Sequence, residues 1–327
     1  MVKVTLNEIE QSTKKGLLAH GADEWVAQEM ATTICKAESI GNRICGLFYY
    51  ESYCQQLVSG RVKGDVQPVV SNPKPSVISV DAKYGFAQTA FLKGMPTAIE
   101  KARENGVATL AICHSHTATS MGYFTRQIAE QGLIALGMTN ASPCVAAPGG
   151  KTPVIGTNPV SFAVPDGKGG VAMLFDQSTT AVAKGKLSLA KAAGEDIPIG
   201  WALDKDGNQT TDPSAGLDGT LESSGGYKGW GLGLMVEMLA AGMTGSIISR
   251  DVSPLKDVEG PHHDLGQFYL IIDPSAQPEF FNRLSQIQDG MKADKGTRMP
   301  GSSYNPANEI EVPDAMWDKV KELETKV

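Results

Sequence analysis

The stretch Val107–Thr139, VATLAICHSHTATSMGYFTRQIAEQGLIALGMT, decides the fold class. It opens with an apolar run ending at Cys113 and closes with a second at Leu133–Thr139, both of the length and composition of buried strands. Between them lie a polar loop, His114–Ser120, and a short helix over Tyr123–Glu130. Just upstream, Val77–Asp81 reads as a strand, and Phe91–Asn105 as an amphipathic helix closed by Gly106. This alternation predicts an α/β fold in which helices cover a sheet.

Working outward, residues 1–60 read as helical. Thr5 is placed to cap the first helix, with Glu8 three residues on completing a capping box. Val62–Pro75 reads as irregular. Lys151–Lys186 holds a tight turn at Gly156-Thr157-Asn158-Pro159, two short apolar strands, the run Asp176-Gln177-Ser178-Thr179-Thr180 and a Lys184-Gly185-Lys186 triplet. Small and polar residues at strand ends are where α/β enzymes usually hold ligands. Trp201–Gly219 reads as loop, Leu232–Ala241 as an apolar helix, Gln267–Asp273 as a strand and Pro278–Lys292 as a helix. Arg298 opens a polar tail, and 313–326 reads as an exposed terminal helix.

The 327 residues are 41% apolar and 20% charged, ordinary values for a globular enzyme. A net charge of −7 argues against a nucleic-acid partner. The N-terminus lacks the apolar core of a signal peptide, and no apolar run reaches bilayer length, so no membrane is expected. Five scattered cysteines without CxxC spacing fit reduced thiols in a cytoplasm.

Candidate chemistry is sparse by residue type alone. No GxGxxG follows a strand with an acid some 20 residues on. Gly229-Trp230-Gly231-Leu232-Gly233, beside Lys228, reads equally as a phosphate-receiving helix start and as close glycine packing. On an extended segment His114 and His116 would point the same way, as acid/base groups or as ordinary loop histidines, and no third ligand is placed to make a metal site. His262-His263 reads as solvated. Asp176 reads as an N-cap or a ribose acceptor. Lys184 and Lys186 read as surface lysines or as anion ligands. Cys45 reads as a small buried residue or as a thiol acidified by Arg43.

Several segments together resemble the malate/L-lactate dehydrogenase-like oxidoreductases, which lack the usual nucleotide-binding fold. Within them the chain looks most like the Δ1-piperideine-2-carboxylate/Δ1-pyrroline-2-carboxylate reductases. The residues that carry this are Gly85-Phe86-Ala87-Gln88, Asn140-Ala141-Ser142-Pro143, Gly149-Gly150 with Gly156–Pro159, Phe175-Asp176-Gln177, Ile197–Ala202 with Asp212-Pro213, Tyr227–Leu232 and Met299-Pro300-Gly301. The resemblance implies a mixed-sheet cofactor domain, 116–284, inserted in a second α/β domain built from 1–115 and 285–327, and not a Rossmann fold. It implies a homodimer and NADH or NADPH as cofactor, with NADPH favoured. It maps cofactor contacts onto Thr117, Ala118, Thr119, Ser120 and Met121, onto Asp176, Gln177 and Ser178, onto Lys228 and Gly229, and onto Arg298, Met299, Pro300, Gly301, Ser302, Ser303 and Tyr304. Substrate contacts map onto Thr157, Lys184 and Gly185.

The chain departs from the family at one place. The family pattern is Ser-His-Gly, two further residues, then Arg, the histidine donating a proton and the arginine holding the substrate carboxylate. Here Ile44, Cys45 and Tyr49 stand in those positions, and Thr117 stands where a histidine is common. Reducing a ketone calls for a general acid worth about 10²–10⁴-fold. A cyclic imine can be protonated in solution before it binds, so losing the histidine is easier to tolerate there. The expected activity is NAD(P)H-dependent reduction of a small cyclic imino acid to L-proline or L-pipecolate, with Tyr49 in the substrate site and Cys45, His116 and Lys186 as proton-donor candidates. A 2-oxo acid dehydrogenase and a silent nucleotide-binding homologue stand as alternatives.

Overall fold

The computed structural model describes residues 1–325. The chain begins with strand β1 (Val2–Thr5) and helices α1 (Leu6–Ala19), α2 (Glu24–Ser39) and α3 (Tyr50–Ser59). Next come β2 (Val69–Lys74), β3 (Val77–Asp81), α4 (Ala87–Asn105), β4 (Val107–Ser115), α5 (Met121–Glu130) and β5 (Ile134–Thr139). Short strands follow at β6 (Val145–Ala146) and β7 (Pro153–Ile155), then β8 (Val160–Pro165), β9 (Val171–Gln177) and α6 (Lys184–Ala193). The last third holds β10 (Ala202–Leu203), α7 (Pro213–Asp218), β11 (Thr220–Leu221), α8 (Tyr227–Glu237), β12 (Leu265–Ile272), α9 (Phe280–Met291), β13 (Glu309–Val312) and α10 (Asp314–Glu322).

The main sheet has seven strands in the order β2-β3-β4-β12-β5-β8-β9. Only β3 and β4 run parallel; every other neighbouring pair is antiparallel. This mixed sheet is not a doubly wound parallel one. The α4 and α5 helices cover one face, burying Phe91, Phe124 and Tyr269 with ring centroids 5.0–6.0 Å apart. The end of α8 covers part of the other face, with Val236 and Ala240 against Met138, Val160 and Phe268. A four-stranded sheet, β10-β11-β6-β7, carries a small core of its own around Leu187, Ile197 and Leu221.

The two chain ends meet. β1 pairs antiparallel with β13, Val2 opposite Val312, and α10 packs into the core of α1–α3 through Val320 and Leu323. The Thr5–Glu8 capping box is present: the Glu8 N–H donates to Thr5 Oγ1 at 3.2 Å and the Thr5 N–H to Glu8 Oε2 at 2.8 Å. Strands from both sides of residue 115 share the main sheet, so the expected boundary at 115/116 falls inside one continuous sheet.

Several expectations are corrected. Part of Val62–Pro75 forms β2, an edge strand whose residues are all exposed and which accommodates Pro73 for that reason. The stretch Trp201–Gly219 contains β10 and α7; Asp212 caps α7, accepting from the Ser214 N–H at 2.8 Å, with Pro213 in its first turn. The helix expected over 313–326 is α10, which ends at Glu322, and residue 326 lies outside the described residues. Glycines of the Gly-Trp-Gly-Leu-Gly run lie inside α8. A Cβ at Gly229 would overlap the Ser224 backbone, and one at Gly233 would meet Ile155, so close packing explains these two, whereas a Cβ at Gly231 would meet nothing.

Candidate active site

Asp176 lies near the end of β9, facing the start of α5. Its Oδ2 accepts the Gly122 N–H at 2.8 Å and the Ser120 hydroxyl at 2.9 Å. It therefore caps α5 from across the sheet rather than capping the segment that follows it. The helix dipole favours a negative charge there. A Cβ on Gly122 would stand 2.9 Å from that oxygen, so glycine permits the approach. Asp176 lines a cleft, and desolvation raises its carboxyl above the ordinary range despite the two donors.

The run beyond Asp176 is tied to the Gly156–Pro159 turn. The Thr179 N–H and Oγ1 donate to the Thr157 carbonyl at 2.9 and 3.1 Å. Asn158, buried and at φ +39°, donates to the Gly233 carbonyl at 3.0 Å and to Glu237 at 2.8 Å. Ser178 bonds the Thr180 hydroxyl at 2.8 Å, and the Ser224 N–H donates to the Thr179 carbonyl at 2.9 Å, next to the Gly225-Gly226 turn before Lys228. Thr157, Gln177, Ser178 and the start of α8 thus belong to one continuous wall. On the other edge of β9, the Leu174 N–H donates to the Pro300 carbonyl at 2.9 Å, laying the 298–304 tail alongside.

The facing wall is the Asn42–Tyr49 segment after α2, two short 3₁₀ turns. Gly46 packs so tightly on the buried Glu38 carboxylate that a Cβ would overlap it, and Glu38 accepts the Leu47 N–H at 2.7 Å. Ile44 reaches the first turn of α6, where a Cβ on Gly185 would stand 3.3 Å from Ile44 Cδ1. Lys184 and Lys186 are exposed on that turn. Burial, followed by the nearby Asp176 charge, pushes the Cys45 thiol up to about 12. The expectation of a thiol acidified by Arg43 is therefore overturned: the Arg43 guanidinium donates instead to the Glu311 carbonyl at 3.3 Å. Burial raises the Tyr49 phenol as well.

The histidines behave differently from the sequence reading. His114 has φ +50° beside a register shift between β4 and β12, which breaks the alternation of an extended strand. Its ring turns to Asp81, Nδ1 to Oδ1 3.0 Å. His116, only 2% exposed, puts Nε2 2.8 Å from Gln56 Oε1 and stacks on His263 at 4.1 Å. Enclosure holds His116 in its neutral form, and His263, read as solvated, is buried too. His116 touches Tyr53, which stacks on Tyr49 at 6.1 Å, so it backs the Cys45 wall from behind.

A cavity of about 340 Å³ opens between α2, α5, β9 and the tail. Thr119, Ser120, Asp176 and Tyr304 of the expected cofactor contacts line it, with Asn42, Lys36 and Arg126. Arg126 stacks on Tyr304 at 3.5 Å from its centroid. Lys36 and Arg126 escaped the sequence reading because single cations on amphipathic helices look like a solvated face. Hydroxyls, two cations and Thr119 at φ +64° suit part of a phosphate-bearing dinucleotide. The Gly225-Gly226 turn, where added Cβ atoms would meet nothing, leaves room for another part beside the exposed Lys228.

Comparison with known proteins gives the family and the fold. The family model for malate/L-lactate dehydrogenase matches residues 4–321. The (2R)-3-sulfolactate dehydrogenase (NADP(+)) of Chromohalobacter salexigens is 36% identical, over 97% of this chain and 97% of its own. A Δ1-pyrroline-2-carboxylate/Δ1-piperideine-2-carboxylate reductase of Pseudomonas putida is 35% identical, over 95% of this chain and 92% of its own. The crystal structure of Δ1-piperideine-2-carboxylate reductase from Pseudomonas syringae superposes with a TM-score of 0.91 at 33% identity, covering 99% of this chain and 100% of that one.

Proposed function

This chain belongs to the malate/L-lactate dehydrogenase family, and from that premise we propose that it is an NAD(P)H-dependent reductase of a small cyclic imino acid. The substrate class is Δ1-pyrroline-2-carboxylate or Δ1-piperideine-2-carboxylate, and the product L-proline or L-pipecolate. One observation carries the choice of imine over ketone: Ile44, Cys45 and Tyr49 stand where the family has serine, histidine and arginine, so this wall presents no imidazole to donate a proton. Desolvation also raises the Cys45 thiol and the Tyr49 phenol. A ketone would need a proton delivered at its oxygen, whereas an imine arriving protonated needs none.

Bound NADPH or NADH supplies the hydride. The residues that would hold it are Thr117–Met121, Asp176–Ser178, Lys228, Gly229 and Arg298–Tyr304. Lys36 and Arg126 beside the cavity favour NADPH, whose extra phosphate needs cations. Lys184, Gly185 and Thr157 receive the substrate carboxylate, with Lys184 and Lys186 bringing positive charge to the first turn of α6. Tyr49 closes the far side of the substrate. Cys45 is the proton-donor candidate on the facing wall, and His116 supports it through Tyr53.

The reading includes a homodimer. The end of α8 and the segment after it leave Met235, Met238, Met243 and Ile248 exposed, an apolar face suited to a second copy. It also includes the cytoplasm, which suits five free cysteines. No helix among the described residues is long and apolar enough to cross a membrane.

The similarity to a (2R)-3-sulfolactate dehydrogenase favours the second reading, a 2-hydroxy acid dehydrogenase. The deciding experiment follows NADPH absorbance with Δ1-pyrroline-2-carboxylate, and in parallel with pyruvate, oxaloacetate and the 2-oxo acid of 3-sulfolactate, at mildly acidic and neutral pH. Consumption with the imine alone is expected. Turnover confined to the oxo acids would replace the first reading by the second. Nucleotide binding by calorimetry without turnover of any of them would leave a silent homologue.

A further inference from the structure

Six residues other than glycine have left-handed backbone among the described residues, and four of them, Lys83, Tyr84, His114 and Asp264, lie together. They surround the carboxyl ends of β3 and β4, the second of which leads into the Thr117–Met121 loop. Backbone strain of this kind persists where surrounding structure enforces it. Here it brings Asp81, Cys113 and His114 together, with one ligand atom from each lying within 4.8 Å of the other two.

The arrangement discriminates between two kinds of chemistry. In a nucleophilic relay the thiol and the carboxylate occupy opposite nitrogens of the imidazole. In this protein they share one: Cys113 Sγ is 3.5 Å and Asp81 Oδ1 3.0 Å from the same His114 Nδ1. Donors converging on one point suit a chelated cation. Asp264 is not one of the converging donors, but its Oδ1 is buried without a hydrogen-bond partner. The cation now beside the cluster is Lys83, with Nζ 2.8 Å from Asp81 Oδ2 on a side chain half exposed to water.

We propose that Asp81, Cys113 and His114 form a divalent-metal site of the zinc class, with Asp264 as a neighbouring carboxylate. One sulfur, one imidazole nitrogen and one carboxylate oxygen make a three-donor set, with water as the fourth ligand, that this borderline-soft ion accepts. On binding, the Cys113 thiol proton leaves to solvent, the thiolate takes its place on the metal, and Lys83 is displaced into water. The ion would join β3 to β4, next to the loop that ends at Asp264, which carries His263 onto His116 and accepts hydrogen bonds from Arg61 and Gln56.

The test uses the full-length protein, stripped with a chelator and titrated with Co²⁺ alone, reading the sulfur-to-cobalt charge-transfer band in the near ultraviolet. One ion per chain is expected, and Zn²⁺ should abolish the band by competition. Cys113→Ala should lose the band, whereas Cys144→Ala should keep it. Asp264→Asn should keep a weaker site, with affinity lower by about 10-fold or more. Circular dichroism checks that each variant is folded. Absence of a band in the wild-type protein, a band surviving Cys113→Ala, or a dissociation constant weaker than about 1 mM would overturn the site and leave an ordinary Asp–His–Lys ion cluster.

Discussion

The two walls of the cleft are built on different physics. The Asp176 wall is made of strand ends and turns from the main sheet, and its polar atoms are paired: Asp176 with Gly122 and Ser120, Thr157 with Thr179, Asn158 with Glu237. The Cys45 wall is made of 3₁₀ turns on the end-built helical body, and it presents Ile44, a thiol and aromatic rings. The first wall resembles the family's pattern throughout, and the second departs from it at three positions. A cleft with one preorganised wall and one proton-retaining wall suits a substrate that needs orientation and a carboxylate grip more than acid catalysis.

The largest effect should come from unpairing the first wall. Asp176→Ala removes the acceptor of the Gly122 N–H and the Ser120 hydroxyl, so the α5 start and the loop before it lose their anchor. A drop in kcat/KM of about 10²-fold is expected, the scale of a small misplacement of reacting groups, with a loss of about 1 kcal/mol in stability of the kind that follows removal of a helix cap. Steady-state kinetics and urea unfolding would measure both, and Asp176→Asn, which keeps an acceptor oxygen, should recover part of each. Unchanged kinetics would mean that the two walls do not differ in the way argued.

A smaller effect, of opposite sign, should follow from returning the second wall to the family pattern. The triple change Ile44→Ser, Cys45→His and Tyr49→Arg should raise turnover of 2-oxo acids by at least about 10-fold, toward the lower end of what a positioned general acid supplies. Parallel assays with oxo and imino acids would show it. A triple variant equally poor with both substrate classes would place the limiting difference elsewhere. Cys45→Ala alone should lower imine reduction by less than about 10-fold, because an imine that is already protonated asks little of that side chain; a loss in the 10²–10⁴ range would identify the thiol as the acid.

The two walls were unequally legible in the sequence. The main sheet shows through because its central strands are apolar runs bounded by polar loops and glycines, as at Val107–Cys113 and Leu133–Thr139. The β2 edge does not, since none of its residues is buried and it contains a proline. The Asp176 run was visible as polar residues at a strand end, but its partner, the start of α5, is 54 residues away in the chain. The direction of His114 was beyond periodicity, because alternation fails once a residue takes φ +50°. Asp81 and Asp264 are distant from Cys113-His114 in sequence, and only the pairing of β3 with β4 and of β4 with β12 gathers them.

The smallest expected effect tests the electrostatic side of the comparison. A thiol at an ordinary position titrates near 8.5, so its alkylation rate levels off about a unit above that. At about 12, Cys45 is neutral across the physiological range, and its thiolate fraction grows tenfold with each pH unit well beyond pH 9. Iodoacetamide labelling of the Cys45 peptide, followed by mass spectrometry, should therefore rise steadily from pH 7 to about 10 without a plateau. The first cause of the shift is burial and the second is Asp176. Asp176→Asn removes only the second, so labelling at fixed pH should increase a few-fold and the plateau should remain absent. A plateau in the wild-type protein near the ordinary thiol value would show that the second wall yields protons readily, and the case for an imine substrate would lose its support.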